Sequence, residues 1–295
     1  MEESIVSQQI INQQRVEIIE RYPVLWSKLI EEWSQPGMED RAWLMYSASY
    51  LFRTSGIRWA MDPVRLASRL PGASEPDVAH DFKDLSFVLL THRHADHLDL
   101  DLINSIRDSS IIWVVPRAIL PLIRKYTYLP EKQIVVPKMN QPLEFHGIRV
   151  TPFDGLHWER IEPRESERSH TYWRGVPAVG YLVEFSGKRW LLPGDTRTYD
   201  ARRLPSFGPV NGLFAHVWLG RGSAMLGEAP LLGAFSRYCL ALQPQRIILT
   251  HLNEYGREAE DYWDEGHAIS ICSAVQAISP GISVIPAFLG DAVSL

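Results

Sequence analysis

The stretch LLTHRHADHLDL, residues 89–100, places His92, His94, Asp96 and His97 within six positions, directly after the apolar run FVLL at 87–90. An apolar run of that length reads as a buried strand. His92 and His94 are two residues apart, so at a strand end they can project to the same side. The turn that follows then swings Asp96 and His97 to a second side. Neutral imidazole nitrogens and a carboxylate are the ordinary donors for Zn²⁺, and they also suit Mn²⁺ or Fe²⁺. Two donor pairs that diverge from one loop can serve two metal ions.

The rest of the chain supplies the setting. Its 295 residues, 45% hydrophobic and 22% charged, are enough to bury a large core. A net charge of −5 gives no general attraction to nucleic acid or to anionic membranes. Cys239 and Cys272 show no CxxC spacing, so no disulfide framework is expected and a cytoplasmic location is the simplest reading. The opening MEESIVSQQI is acidic and polar, unlike a secretory signal. No apolar run approaches the roughly 20 residues needed to cross a bilayer, so no membrane insertion is expected.

Residues 1–36 read as a helical extension packed on a main domain at 37–295. Leu25, Trp26, Leu29, Ile30 and Trp33 recur at helical spacing, and Pro23 is expected to start or kink that helix. WLMYSASYLFRTSGIRWAMDP, 43–63, reads as two strands around a turn at Ser55 and Gly56. Further strands are expected in 85–91, 111–116, 147–155, 178–195, 212–219 and 246–252. Helices are expected in 98–110, 117–126, 227–242 and 266–278. Strand-rich halves with interleaved helices suggest a layered α/β architecture, the sheet covered by helices.

The pattern H-x-H-x-D-H at 92–97 resembles the signature of the metallo-β-lactamase superfamily, and the resemblance extends from about Trp43 to the C-terminus. AMDP at 60–63 places Asp62 like the family's early aspartate, which supports the metal loop. VTPFDGLHWE at 150–159 supplies His157 as the next histidine ligand, in competition with His170. WLLPGDT at 190–196 supplies Asp195, like the family's metal-bridging aspartate, and IILTHLNEYG at 247–256 supplies His251, like its last ligand. The implied fold is an αββα sandwich with the site at one edge. The implied ligand sets are His92, His94 and His157 for one metal and Asp96, His97 and His251 for the second, with Asp195 bridging. Asp96 and Asp195 are then the candidate catalytic carboxylates, and two divalent ions, zinc first and manganese or iron as alternatives, are the expected cofactors.

The order of elements in 36–63 also resembles the L-ascorbate-6-phosphate lactonase group. That resemblance implies a hydrolase for a small anionic lactone or phosphodiester. The long polar segment 157–181 is the expected substrate loop, with Arg174 as an anion contact. Arg221, in WLGRGSAM at 218–225, is a second such contact. His80, His146, His216 and His267 read as surface or structural histidines. Two rivals are a non-catalytic metal-binding scaffold and a nuclease for RNA or DNA. The oligomeric state stays open, a homo-oligomer included.

Overall fold

The computed structural model describes residues 8–161, 172–219, 231–259 and 262–295. In chain order its strands are β1 (Arg41–Tyr46), β2 (Ser49–Thr54), β3 (Ile57–Met61), β4 (Phe87–Leu89), β5 (Ile112–Val114), β6 (Ile134–Val135), β7 (Leu143–Phe145) and β8 (Ile148–Asp154). They continue with β9 (Trp158–Ile161), β10 (Tyr172–Gly175), β11 (Val179–Phe185), β12 (Lys188–Leu192), β13 (Val210–His216), β14 (Pro244–Thr250), β15 (Ser283–Pro286) and β16 (Ala292–Ser294). The helices are α1 (Gln8–Ser34), α2 (Val78–Asp81), α3 (Leu100–Ser105), α4 (Leu120–Tyr126), α5 (Leu231–Ala241) and α6 (Glu265–Ile278).

Two seven-stranded sheets form the body, in the orders β16-β1-β2-β3-β4-β5-β6 and β15-β14-β13-β12-β11-β8-β7. The period-two alternation of the strands distributes their side chains among three apolar layers. In β4, Phe87 and Leu89 point between the sheets, whereas Val88 points outward with Trp113 towards Trp26 and Trp33 of α1. In β13, Phe214 points between the sheets and Leu213 and Ala215 face α5 and α6. β14 repeats this, Ile248 inward and Ile247 and Leu249 outward. Three layers of core between two sheets and two sets of helices make an αββα sandwich.

The inner layer is aromatic. Phe52 stacks on Trp59 at 3.8 Å between centroids, and Trp59 stacks on Phe87 at 5.4 Å. Gly212 is paired with Trp190 across β12 and β13, and an added Cβ would lie 2.2 Å from the Trp190 ring. Only a glycine lets that indole lie against the strand.

Several element boundaries differ from those the sequence suggests. Residues 43–63 form parts of three strands, because the chain also turns at Ser47, whose φ of 42° is left-handed. α1 runs through Pro23, and α3 stops at Ser105. The ends of the expected substrate loop pair as a ribbon of β9 and β10, with Arg174 opposite Glu159. Cys239 is buried and Cys272 half-buried, both free. Among the described residues no helix is long and apolar enough to cross a membrane.

Candidate metal centre

The sandwich brings five loops to one edge. Asp62 follows β3, residues 91–97 follow β4, His157 lies between β8 and β9, Asp195 follows β12 and His251 follows β14. Each strand ends in a residue whose backbone leaves the sheet, and the chain bends sharply at two of them. Asp62 has φ 44° and His251 has φ 64°. Left-handed backbone at non-glycine residues costs about 1–3 kcal/mol each and persists where surrounding contacts hold it. His251 N–H donates to Ser47 O at 3.0 Å and Asp62 N–H to Leu89 O at 2.9 Å, which fixes both bends.

Three imidazoles converge. His94 Nδ1 lies 3.0 Å from His92 Nε2 and 3.1 Å from His157 Nε2. Nitrogens around one tetrahedral zinc, each at about 2.0–2.1 Å, stand roughly 3.3 Å apart, so these two separations are close to the edges of a coordination face. Burial depresses the pKa of all three histidines, with His92 and His157 held well below the usual imidazole value. They are therefore neutral and able to donate lone pairs.

A second set stands alongside. His251 Nε2 is 3.2 Å from Asp96 Oδ2, and its Nδ1 is 3.0 Å from Val217 O, which leaves Nε2 for the site. His97 Nδ1 is 2.7 Å from Asp62 Oδ2, and its Nε2 is 3.2 Å from Asp195 Oδ1. Asp195 lies between the two sets. Its Oδ2 is 3.8 Å from His92 Nε2 and 3.9 Å from His157 Nε2, while its Oδ1 faces His97 and, at 3.8 Å, His251. His92, His94, His157 and Asp195 offer donor atoms close enough to hold one ion, and so do Asp96, His97 and His251.

The fit to divalent ions can be judged from what lacks a partner. Asp195 Oδ2 is fully buried and accepts no hydrogen bond among the described residues, and buried His97 Nε2 has the Asp195 Oδ1 carboxylate 3.2 Å away but outside hydrogen-bond geometry. Orphaned buried polar atoms are rare and costly, and Asp195 Oδ2 lies 3.8 and 3.9 Å from the Nε2 atoms of His92 and His157. Asp62, Asp96 and Asp195 are all buried. Burial raises the Asp62 carboxyl, while for Asp96 and Asp195 the surrounding histidines overcome burial and hold the carboxyl well below its usual range. His97 is held well above the usual imidazole value, since Asp195 and Asp62 outweigh its burial. Such a concentration of buried carboxylate and imidazole suits compensation by cations.

Asp62 and His216 could also be counted into metal-sized clusters, but hydrogen bonds occupy their donor atoms. Asp62 accepts from Thr91 N–H at 2.7 Å and from the Thr91 hydroxyl at 2.5 Å, besides facing His97. His216 Nδ1 is 3.0 Å from Asp195 Oδ1, and its Nε2 is 3.0 Å from the Tyr50 hydroxyl. Burial lowers His216 to about 4, so it is a neutral support for Asp195.

Sequence reading missed three participants. His216, grouped there with surface or structural histidines, is buried against Asp195. Arg257 Nη2 donates to Asp96 Oδ2 at 2.7 Å. Trp218 lies 5.3 Å from His251 and 6.2 Å from His157 and forms a wall of the site. Only the strand-end position of His216 and Trp218 in GLFAHVWL offered a signal. The Arg174 side chain, His170 and Arg221 lie outside the described residues. His94 is the one half-buried member of the cluster, so the site opens on its side.

The family model of the beta-lactamase superfamily domain matches residues 61–252. The chain belongs to the metallo-β-lactamase superfamily. A curated relative, N-acyl-phosphatidylethanolamine-hydrolyzing phospholipase D 1 of Caenorhabditis elegans, is 26% identical over 173 residues, 54% of this chain and 47% of that protein. The chain thus spans about half the length of the curated relative it matches. Among solved structures, the metallo-beta-lactamase fold protein YhfI of Bacillus subtilis superposes with a TM-score of 0.60 at 14% identity, over 86% of this chain and 99% of that one. The metallo hydrolase Igni18 of Ignicoccus hospitalis gives 0.58 at 17% identity, over 87% and 98%. CmlA, a diiron beta-hydroxylase of Streptomyces venezuelae, gives 0.59 at 17%, over 88% of this chain and 55% of that one. At these identities the likeness is one of fold.

Proposed function

We propose that the chain is a metal-dependent hydrolase that uses a dinuclear centre on a small anionic phosphodiester or lactone. In this reading His92, His94 and His157 hold one divalent ion and Asp96, His97 and His251 the other, with Asp195 between them. The observation that carries it is Asp195, whose two carboxylate oxygens face two separate sets of imidazoles. Zinc suits these N/O donors best, and manganese or iron can be accommodated by the same set.

When bound, such ions supply Lewis acidity and make a shared water acidic near neutral pH. The chain's own residues do the rest. Asp62 fixes the His97 ring, and His216 fixes Asp195. Asp96, at the second half of the site, orients the attacking water. Trp218 and Trp263, 5.4 Å apart, shield the His251 side from bulk water. No thiol nucleophile is needed, and burial pushes the Cys239 thiol up, out of any nucleophilic role.

The nematode relative is named for hydrolysing a phosphatidylethanolamine, a phosphodiester, and this favours that bond over a lactone. The lactone follows from the resemblance of residues 36–63 to the ascorbate-6-phosphate lactonases. Arg174, on β10, and Arg221 are the proposed contacts for the substrate's negative charge. We retain 1–36 as an extension of a catalytic domain at 37–295, in the cytoplasm.

The test is metal analysis of the purified chain together with turnover of bis(p-nitrophenyl) phosphate, an aliphatic lactone, and single-stranded RNA and DNA. Two ions per chain with phosphodiester or lactone turnover is the expected result. Two ions without turnover on any substrate would favour a metal-binding scaffold, and turnover of nucleic acid alone would favour a nuclease.

A further inference from the structure

Arg257 approaches the candidate centre from the loop after β14. Its Nη2 donates at 2.7 Å to Asp96 Oδ2, the same oxygen that lies 3.2 Å from His251 Nε2. The guanidinium has further neighbours, a ring and an ion-pair partner. It stacks over Trp218 at 4.2 Å, and its Nε lies 3.3 Å from Glu254 Oε2. Glu254 is itself 1% exposed. It accepts from Arg69 Nε at 3.0 Å and Nη2 at 3.2 Å, and from the Tyr46 hydroxyl of β1.

The backbone of the loop is also held, and from an unexpected direction. Arg15 of α1 donates through Nη2 to Arg257 O at 2.9 Å and through Nε to Tyr255 O at 2.8 Å. Gln8 and Gln14 of the same helix reach Ala259 N–H at 3.1 Å and the Tyr262 hydroxyl at 2.7 Å. The first helix therefore grips the loop that carries Arg257, and Arg257 grips Asp96.

We infer that Arg257, anchored by Arg15 of the N-terminal helix and by Glu254, is a positioning residue that sets Asp96 for the second metal ion. A carboxylate oxygen has two lone pairs. One taken by a fixed guanidinium leaves the other aimed at the space beside His251 and His97, with the rotation of the carboxylate removed. Among the described residues no hydrogen bond or ion pair joins Arg257 to His92, His94 or His157, so the first ion does not depend on it directly. The inference rests on the dinuclear reading above.

Supports of this kind are worth about 10–100-fold in metal affinity. The experiment titrates zinc chloride into metal-free wild type, Arg257→Ala, Arg257→Lys and Arg15→Ala by calorimetry, with bound zinc counted by mass spectrometry. Wild type should take two ions in separable steps. Arg257→Ala should keep the first step and weaken the second by about 10–100-fold, with Arg257→Lys between the two. Arg15→Ala should weaken the second step in the same direction, by a smaller factor. The intact first step shows that the fold survives. If Arg257→Ala does not fold, Arg257→Lys and Arg15→Ala carry the test. A second step equal to wild type, a tighter second step, or equal weakening of both steps would overturn the role of Arg257. Wild-type behaviour in Arg15→Ala would overturn the part of the helix. A wild-type chain that binds fewer than two ions would instead defeat the dinuclear reading itself.

Discussion

Asp62 Oδ2 lies 2.7 Å from His97 Nδ1, at the bottom of a site where both residues are fully buried. The pair decides which nitrogen of His97 faces the metal space. A carboxylate accepts the proton on Nδ1 and so leaves Nε2 as the donor atom. Asp62→Asn keeps the shape and removes the charge. It should weaken the second metal ion by about 10–100-fold with the first unaffected, read by stepwise zinc titration. Unchanged affinities would mean that Asp62 only braces the backbone through Thr91.

Asp195→Ala removes the carboxylate whose two oxygens face both sets of imidazoles. The variant should fold, by circular dichroism, and lose bound metal and turnover together. His92→Ala should lose them as well, through the first set. Normal metal content with normal turnover in either variant would refute the ligand assignment.

Chelation should destabilise the protein. An ion that binds only the folded chain contributes about 2.7 kcal/mol when its free concentration is 100 times its Kd. Thermal melts of chelator-treated and zinc-reconstituted protein should therefore differ in midpoint, the reconstituted form melting higher. Coincident melts would show that the buried imidazoles and carboxylates are already compensated without a cation.

Gly212 sits where an added Cβ would meet the Trp190 ring at 2.2 Å. Gly212→Ala forces that buried indole or its strand to shift, and overpacking of this kind costs about 1–3 kcal/mol. Urea unfolding should show the loss, while metal stoichiometry stays at the wild-type value. An unchanged midpoint would mean that the aromatic layer between the sheets accommodates the methyl group.

Arg174→Ala tests how charge is read. A hydrogen bond to a charged group is worth about 1.5–3 kcal/mol. The specificity constant on an anionic substrate should fall by the corresponding factor, more than on its neutral analogue, with metal content unchanged. An equal fall on both would remove Arg174 from substrate recognition.

The sequence by itself pointed to the candidate donor residues and determined the kind of fold. Strand periodicity placed His92, His157, Asp195 and His251 after strand-like runs, and H-x-H-x-D-H is dense enough to stand out locally. Side-chain alternation in β4, β13 and β14 likewise follows from neighbouring residues, because a strand's two faces are set by its own backbone. Tertiary structure alone decided what supports that set. His216 and His146 were read alike in the sequence, as surface or structural histidines, yet one is buried against Asp195 and the other is exposed. Arg257 meets Asp96 across 161 positions, and Arg15 meets Arg257 across 242. Such contacts arise where loops from two separate sheets close on one edge. Their geometry depends on how the layers pack, which no local run of residues encodes.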